Sequence, residues 1–401
     1  MKRMKRMIGA GAALVLAAAL ASCGDDASSE ESSSAGTEKD PLKYMLIADL
    51  QSPALSLPEL VPSAQAAVDR LNASGGAGGR EVELLTCNAK GDPNTAAKCA
   101  RDAVSEDVAA VVGTVTLAGD AIVPVLEAGK IPLVRGLPIA PSEATSSISF
   151  PTGSMGVAAA GAVVGIPDYQ DCKAPAIQVA AVAGAQVQVD VFKRIFNDLG
   201  TEPRIVETGL NLTDFNVAAA NILRDGTDCV VFMGAPNEIF GLLKAIHLAG
   251  GDVKASANAG ALSPAALGEI GDAAQGLYAS TIWRLPGTPE GDQYAEDLAA
   301  VDPEAPLTAN GIAAYATVMF LSDLIKDLDD VSGASVLETL SAATNIETGF
   351  TASLDWNRAD SGIPGEPRVN ATKIYQYAFE GDAYKLLSED PVDTKPFLVS
   401  E

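Results

Sequence analysis

Histidine is almost absent from this sequence, with His247 the single example in 401 residues. That removes the usual general base of a nucleophilic triad and the commonest neutral metal ligand. No Gly-x-Ser-x-Gly elbow and no phosphate loop is present either, so an enzyme of those kinds finds no support. The glycine-rich stretch Gly75-Gly76-Ala77-Gly78-Gly79 follows a helix instead of joining a strand to one, and reads as a helix C-cap and loop. Positive charge is scarce as well: 27 Lys and Arg stand against 52 Asp and Glu, a formal balance of −25. Such a chain is a poor partner for nucleic acid or anionic lipid, and its scattered acids read first as a solubilising surface. Beyond the first 23 residues no apolar run is long enough to span a bilayer.

The amino terminus is where the long apolar run lies. Lys2, Arg3, Lys5 and Arg6 precede an apolar segment from Met7 to Ala21, too short for a comfortable span, which ends Leu20-Ala21-Ser22-Cys23. It resembles the bacterial lipoprotein signal. That resemblance implies a signal peptide over residues 1–22, diacylglycerol on Cys23 and a chain anchored to the extracytoplasmic face of the cell membrane. Residues 23–40 hold no large aliphatic or aromatic side chain and read as a flexible tether. Cys87, Cys99, Cys172 and Cys229 remain and allow three pairings. The favoured set joins Cys87 to Cys99, a strand end to the next helix, and Cys172 to Cys229, each just ahead of an apolar strand. In an oxidising compartment disulfides are the default over a metal site, and neither metal nor cofactor is expected.

The body alternates strand and helix. Short apolar strands near Tyr44–Ala48, Val82–Cys87, Val108–Val112 and Ile131–Val134 are separated by helix patterns, such as Leu60, Ala64, Ala67, Val68 and Leu71 on one face. A second series starts near Pro175, with strands at Ile177–Val182, Arg204–Glu207 and Cys229–Met233. About 360 residues are too many for one comfortable core and suit two lobes with parallel sheets covered on both faces. A long helix over Gly311–Leu328 and β-rich segments at Lys373–Phe379 and Ala383–Leu387 return the chain to the first and then the second lobe. The expected lobes are residues 41–151 with 283–345, and residues 152–282 with 346–401.

Residues 43–145 resemble the first lobe of the leucine/isoleucine/valine-binding family, the type I periplasmic binding proteins that serve ABC transporters. The likeness rests on Ala64-Gln65-Ala66-Ala67-Val68-Asp69-Arg70-Leu71-Asn72-Ala73-Ser74-Gly75-Gly76, Gly79-Arg80-Glu81-Val82-Glu83-Leu84, Gly91-Asp92-Pro93, Val111-Val112-Gly113 and Ile131-Pro132-Leu133-Val134; Gly271 to Leu277 matches a later turn. It implies an α/β protein of two doubly wound parallel-sheet lobes joined by three crossovers. It also implies a monomeric, non-enzymatic capture of a small-molecule solute for an ABC permease and ATPase. A ligand-sensing receptor that signals to a membrane partner without transport is the alternative.

Ligands of open α/β sheets bind at the carboxyl ends of the strands. The candidate ligand-binding residues are Gln51, Ser56, Thr114, Thr116, Leu117, Arg135, Pro138, Ile139, Gln186, Gln188, Ala235, Asn237, Asn258 and Ala259. Backbone N–H groups opening the helix at Ala118, or the Arg135 guanidinium, are expected to hold an anion. By the resemblance, Ser56 stands where a pocket tyrosine is common and Ala259 where the ammonium-binding acid would lie. A free α-amino acid is thereby disfavoured against a less polar carboxylate or amide, unless Glu238 faces the cleft. Trp283, Arg284 and Tyr315 are expected near the second crossing, as hinge packing.

Overall fold

The computed structural model describes residues 39–52, 55–180, 185–209, 212–260, 262–357, 361–369 and 371–399. The signal peptide, Cys23 and the tether up to Glu38 lie outside the described residues, as do Ala183, Gly184 and the side chain of Val187.

The first sheet is built from β1 (Leu42–Ala48), β2 (Val82–Asn88), β3 (Ala110–Val112), β4 (Leu133–Arg135) and β5 (Ser149–Pro151), in the order β2-β1-β3-β4-β5 and parallel throughout. Its connections carry α1 (Leu60–Ala73), α2 (Pro93–Ser105), α3 (Gly119–Gly129) and α4 (Pro141–Thr145). Strand β1 shows why both faces are covered. Tyr44, Leu46 and Ala48 enter one core, whereas Met45 and Ile47 enter another with Ala96, Ala100 and Ile122 of α2 and α3. An apolar strand with a period of two and no polar face must be sandwiched in this way. Asp92 starts α2 by accepting the Thr95 N–H at 2.8 Å, with Pro93 at the first helical position.

The chain then passes to the second sheet through α5 (Met155–Gly161) and α6 (Pro167–Gln170). Strands β6 (Pro175–Ala180), β7 (Arg204–Thr208), β8 (Cys229–Met233), β9 (Lys254–Asn258) and β10 (Tyr278–Thr281) alternate with α7 (Ala185–Asp198), α8 (Phe215–Leu223), α9 (Pro236–Leu248) and α10 (Pro264–Gly268). A return to the first sheet brings α11 (Pro289–Val301), α12 (Ala309–Ile325) and α13 (Gly333–Ala342), with α11 and α12 packed on α1. Last come β11 (Lys373–Glu380), β12 (Ala383–Leu386) and β13 (Val392–Asp393).

The second sheet runs β12-β11-β10-β9-β8-β6-β7, with β13 on β11. It is parallel from β7 to β10, and there the wholly parallel expectation stops, because β11, β12 and β13 pair antiparallel. The reason is the connection: β11 and β12 are joined by Gly381-Asp382 alone, with Gly381 at φ +67°, and a two-residue turn permits only a hairpin.

Both expected disulfides are present. Cys87 at the end of β2 bonds Cys99 of α2 with Cα atoms 5.7 Å apart, and Cys172 bonds Cys229 at the start of β8 with 6.1 Å. Asp228 lies beside the second bridge. Both sulfurs there are already consumed, so that cluster offers no thiolate to a metal. No helix among the described residues is long and apolar enough to cross a membrane.

Candidate functional site

In the first sheet β1, β3 and β4 are neighbours, so the loops at their carboxyl ends lie side by side. Asp49, which the sequence reading did not select, ties them together. Its fully buried carboxylate accepts from the Gly91 N–H (2.6 Å) and the Thr116 hydroxyl (3.0 Å) on one oxygen and from the Leu117 N–H (2.9 Å) on the other. The signal for it was an acid closing the unbroken apolar strand Leu46-Ile47-Ala48. Thr116, also buried, accepts the Ala118 N–H at 3.1 Å. The N–H groups of Leu117 and Ala118 are thus consumed within the chain, against the expectation that they stand open to an anion.

Arg135, expected to meet an anion, is fully buried and already has one. Its Nη1 pairs with Glu143, itself fully buried, and Nη2 donates to the Leu137 carbonyl at 2.5 Å. Glu143 Oε2 accepts from the Ile139 N–H (2.9 Å) and the Ala140 N–H (2.8 Å). The same carboxylate rests on Gly119, the first residue of α3, where an added Cβ would lie 2.3 Å from the carboxyl carbon. The positive end of α3 therefore faces a resident anion. Burial pushes the Arg135 pKa down to about 9, still above neutrality, and the facing carboxylate keeps it charged.

This edge shows two large apolar side chains to solvent. Leu117 is 50% exposed and Ile139 40% exposed, whereas Pro138 and Thr114 are buried, the Thr114 hydroxyl without a partner. Gln51 is exposed, and Ser56 donates to the Leu50 carbonyl at 3.2 Å.

In the second sheet β6, β8 and β9 are adjacent, which brings together the start of α7, the start of α9 and the turn after β9. Gln186 is exposed and bonds Asp190 at 2.6 Å along the helix surface, while Gln188 is buried. Asn258 shapes its own turn, donating to the Ser280 carbonyl (3.2 Å) and accepting the Gly260 N–H (2.8 Å). Ala259 is buried; Ala235 and Asn237 are exposed. Beneath them Glu238, only 7% exposed, accepts on Oε1 from Gln178 Nε2 (3.0 Å) and from the Thr208 hydroxyl. Its Oε2 lies over Gly234, 2.5 Å from where a Cβ would stand.

The second edge meets the head of α12, whose Ala314 and Ala313 lie against Gly113 and Gly136 after β3 and β4. Asn310, in the first turn of α12, donates its backbone N–H to the Gly260 carbonyl at 2.9 Å, and the cap of that helix, Thr308, bonds Glu59 of the first sheet's layer at 3.2 Å. Trp283 is buried and its carbonyl accepts the Tyr377 hydroxyl (3.3 Å), while Arg284 lies 4.8 Å over the Tyr375 ring. Tyr315 packs on Phe350 with ring centroids 5.6 Å apart, the Phe350 carbonyl accepts the Arg284 N–H at 2.9 Å, and the Tyr315 hydroxyl donates to Asp297 at 2.5 Å. A separate groove of about 350 Å³, lined by Leu71, Met319, Phe320 and Phe350 among others, lies between the last turns of α1 and α12, apart from all these loops.

Residues 46–366 match the periplasmic binding protein family. The chain belongs to that family. No curated protein matches this binding protein, but many solved structures share its fold. A fatty acid ABC transporter substrate-binding protein from Thermomonospora curvata is 16% identical with a TM-score of 0.75, covering 90% of this chain and 95% of its own. A solute-binding protein of an ABC transporter from R. palustris, in complex with 4-hydroxybenzoate, is 19% identical with a TM-score of 0.71, covering 89% and 98%. The branched-chain amino acid transporter protein LivJ from Streptococcus pneumoniae, in complex with isoleucine, is 16% identical with a TM-score of 0.70, covering 88% and 99%. The binding protein thus has the two-lobed type I fold of the leucine/isoleucine/valine-binding kind, within a family of solute binders and not of enzymes.

Proposed function

We propose that this protein captures a small organic solute between its two lobes and delivers it to the permease and ATPase of an ABC importer, working from the extracytoplasmic face of the membrane as a monomer held by a lipid on Cys23. The observation that carries the reading is that the head of α12 lies against the strand ends at Gly113 and Gly136 of the first sheet and bonds the turn after β9 of the second, from Asn310 to Gly260. Loops so placed enclose a ligand when lobes close, and ligand stabilises the shut state. The ligands named for proteins of the same fold, isoleucine, 4-hydroxybenzoate and a fatty acid, are all small organic molecules with an apolar part. The exposed Leu117 and Ile139 suit such a part.

A thermal-shift screen of the purified protein tests this, because a ligand at about 100 times its dissociation constant adds about 2.7 kcal/mol of stability. A saturable rise with one small-molecule class is the expected result. No rise with amino acids, amines, amides, organic acids or sugars would overturn the reading.

A further inference from the structure

The charges at the two edges are arranged unequally, and this deepens the proposed function, on which it rests. On the first edge the one buried cation and three backbone donors are engaged by the chain's own acids: Leu117 N–H by Asp49, Ile139 and Ala140 N–H by Glu143, and Arg135 by Glu143, which leaves the neutral Thr114 hydroxyl without a partner. Glu143 also covers the head of α3 at Gly119. A solute carboxylate arriving there meets two buried carboxylates and a guanidinium already paired, which is a repulsive arrangement for an anion.

On the second edge the opposite holds. Glu238 is held by two neutral donors, Gln178 and Thr208, both on Oε1. Among the described residues no Lys or Arg forms an ion pair with it. Its Oε2 lies over half-buried Gly234, which precedes exposed Ala235 and Asn237 in the turn that opens α9. The positive end of α9 favours this first-turn carboxylate, but no side-chain cation among the described residues pairs with it, so a ligand cation at the carboxyl end of β8 would gain a buried partner.

We infer that the cleft selects an apolar solute bearing a basic nitrogen and no carboxylate, with Glu238 contacting the ammonium and Leu117 and Ile139 contacting the apolar body. The net charge of −25 draws such a cation toward the protein.

Matched probes decide this: hexylamine, hexanamide and hexanoate, with phenethylamine, 3-phenylpropionamide and 3-phenylpropionate, each titrated calorimetrically into the unaltered protein and into Glu238→Gln. The amines should bind at least about tenfold more tightly than either partner, and Glu238→Gln should lose about that factor for amines alone. Equal or tighter binding of the carboxylates would overturn the inference and leave solute capture standing. An amine affinity that Glu238→Gln does not change would overturn it also. Silence from all six would overturn the inference, and the wider screen above would then judge solute capture separately. The comparison within the unaltered protein decides the case even where Glu238→Gln fails to fold.

Discussion

Glu143 and Arg135 neutralise each other where no water reaches, so removing one strands the other in the interior. Glu143→Ala should cost about 3–5 kcal/mol, read as a lower urea midpoint, whereas Arg135→Met with Glu143→Leu should recover most of that loss. An additive double variant would show that the pair is not coupled. Glu59 sits at another buried position, 4% exposed, where burial raises its pKa against the opposing hydrogen bonds of its own backbone and of Thr308. The folded protein therefore keeps this proton longer than the unfolded chain does. The resulting stability is full below the ordinary carboxyl range and is lost as pH rises through the raised pKa. Glu59→Gln should flatten that slope and be more stable than the parent near neutrality, which calorimetric melting at a series of pH values from about 4 to 7 would read. An unchanged slope would place the effect elsewhere, with Glu366, also raised by burial, the next to replace. These residues mark the limit of what sequence offers. Arg135 was legible as a charge closing an apolar strand, but the partner that answers it is eight residues on and across a loop, and no spacing rule links the two.

Among the elements, those with strong hydropathy patterns were readable. Strand β1 is buried on both faces, and α12 is apolar on nearly every side, so both stand out in the chain. Helix α11 did not, because only Gly291, Tyr294 and Leu298 are buried in a run otherwise rich in acid. Strand β5, three residues long, is too short to show any period. The Cys87–Cys99 bridge staples β2 to α2 across 12 residues, and replacing both cysteines by alanine should cost roughly 3 kcal/mol in denaturant unfolding if the loop-entropy account holds. A loss near zero would mean that the packing of Ala96 and Ala100 already fixes α2. Gly119→Ala tests the neighbouring element, since its Cβ would fall on Glu143. It should destabilise by roughly 1–3 kcal/mol, whereas alanine in place of a helical glycine ordinarily stabilises. Urea unfolding beside Ala128→Gly, an exchange of the same two residue types at an exposed position of α3, reads the difference.

At the scale of the whole molecule the two sheets were legible from the repeated strand and helix series, and the rule that ligands bind at strand carboxyl ends named the loops of the candidate site. The character of the site was not, because Asp49, Glu143 and Glu238 act through contacts between loops that are distant in sequence. The passages between the sheets hold one more feature with a practical consequence. The chain has two tryptophans, and both sit at these passages: Trp283 just after β10, and Trp356 with its indole on the Pro151 carbonyl and against Phe150. If the lobes close as proposed, movement at these passages is expected to alter the surroundings of the two indoles, which would then serve as an intrinsic optical reporter of closing. Excitation near the red edge of tyrosine absorption should give an emission shift that saturates with ligand, with no label and no knowledge of the ligand's own spectrum.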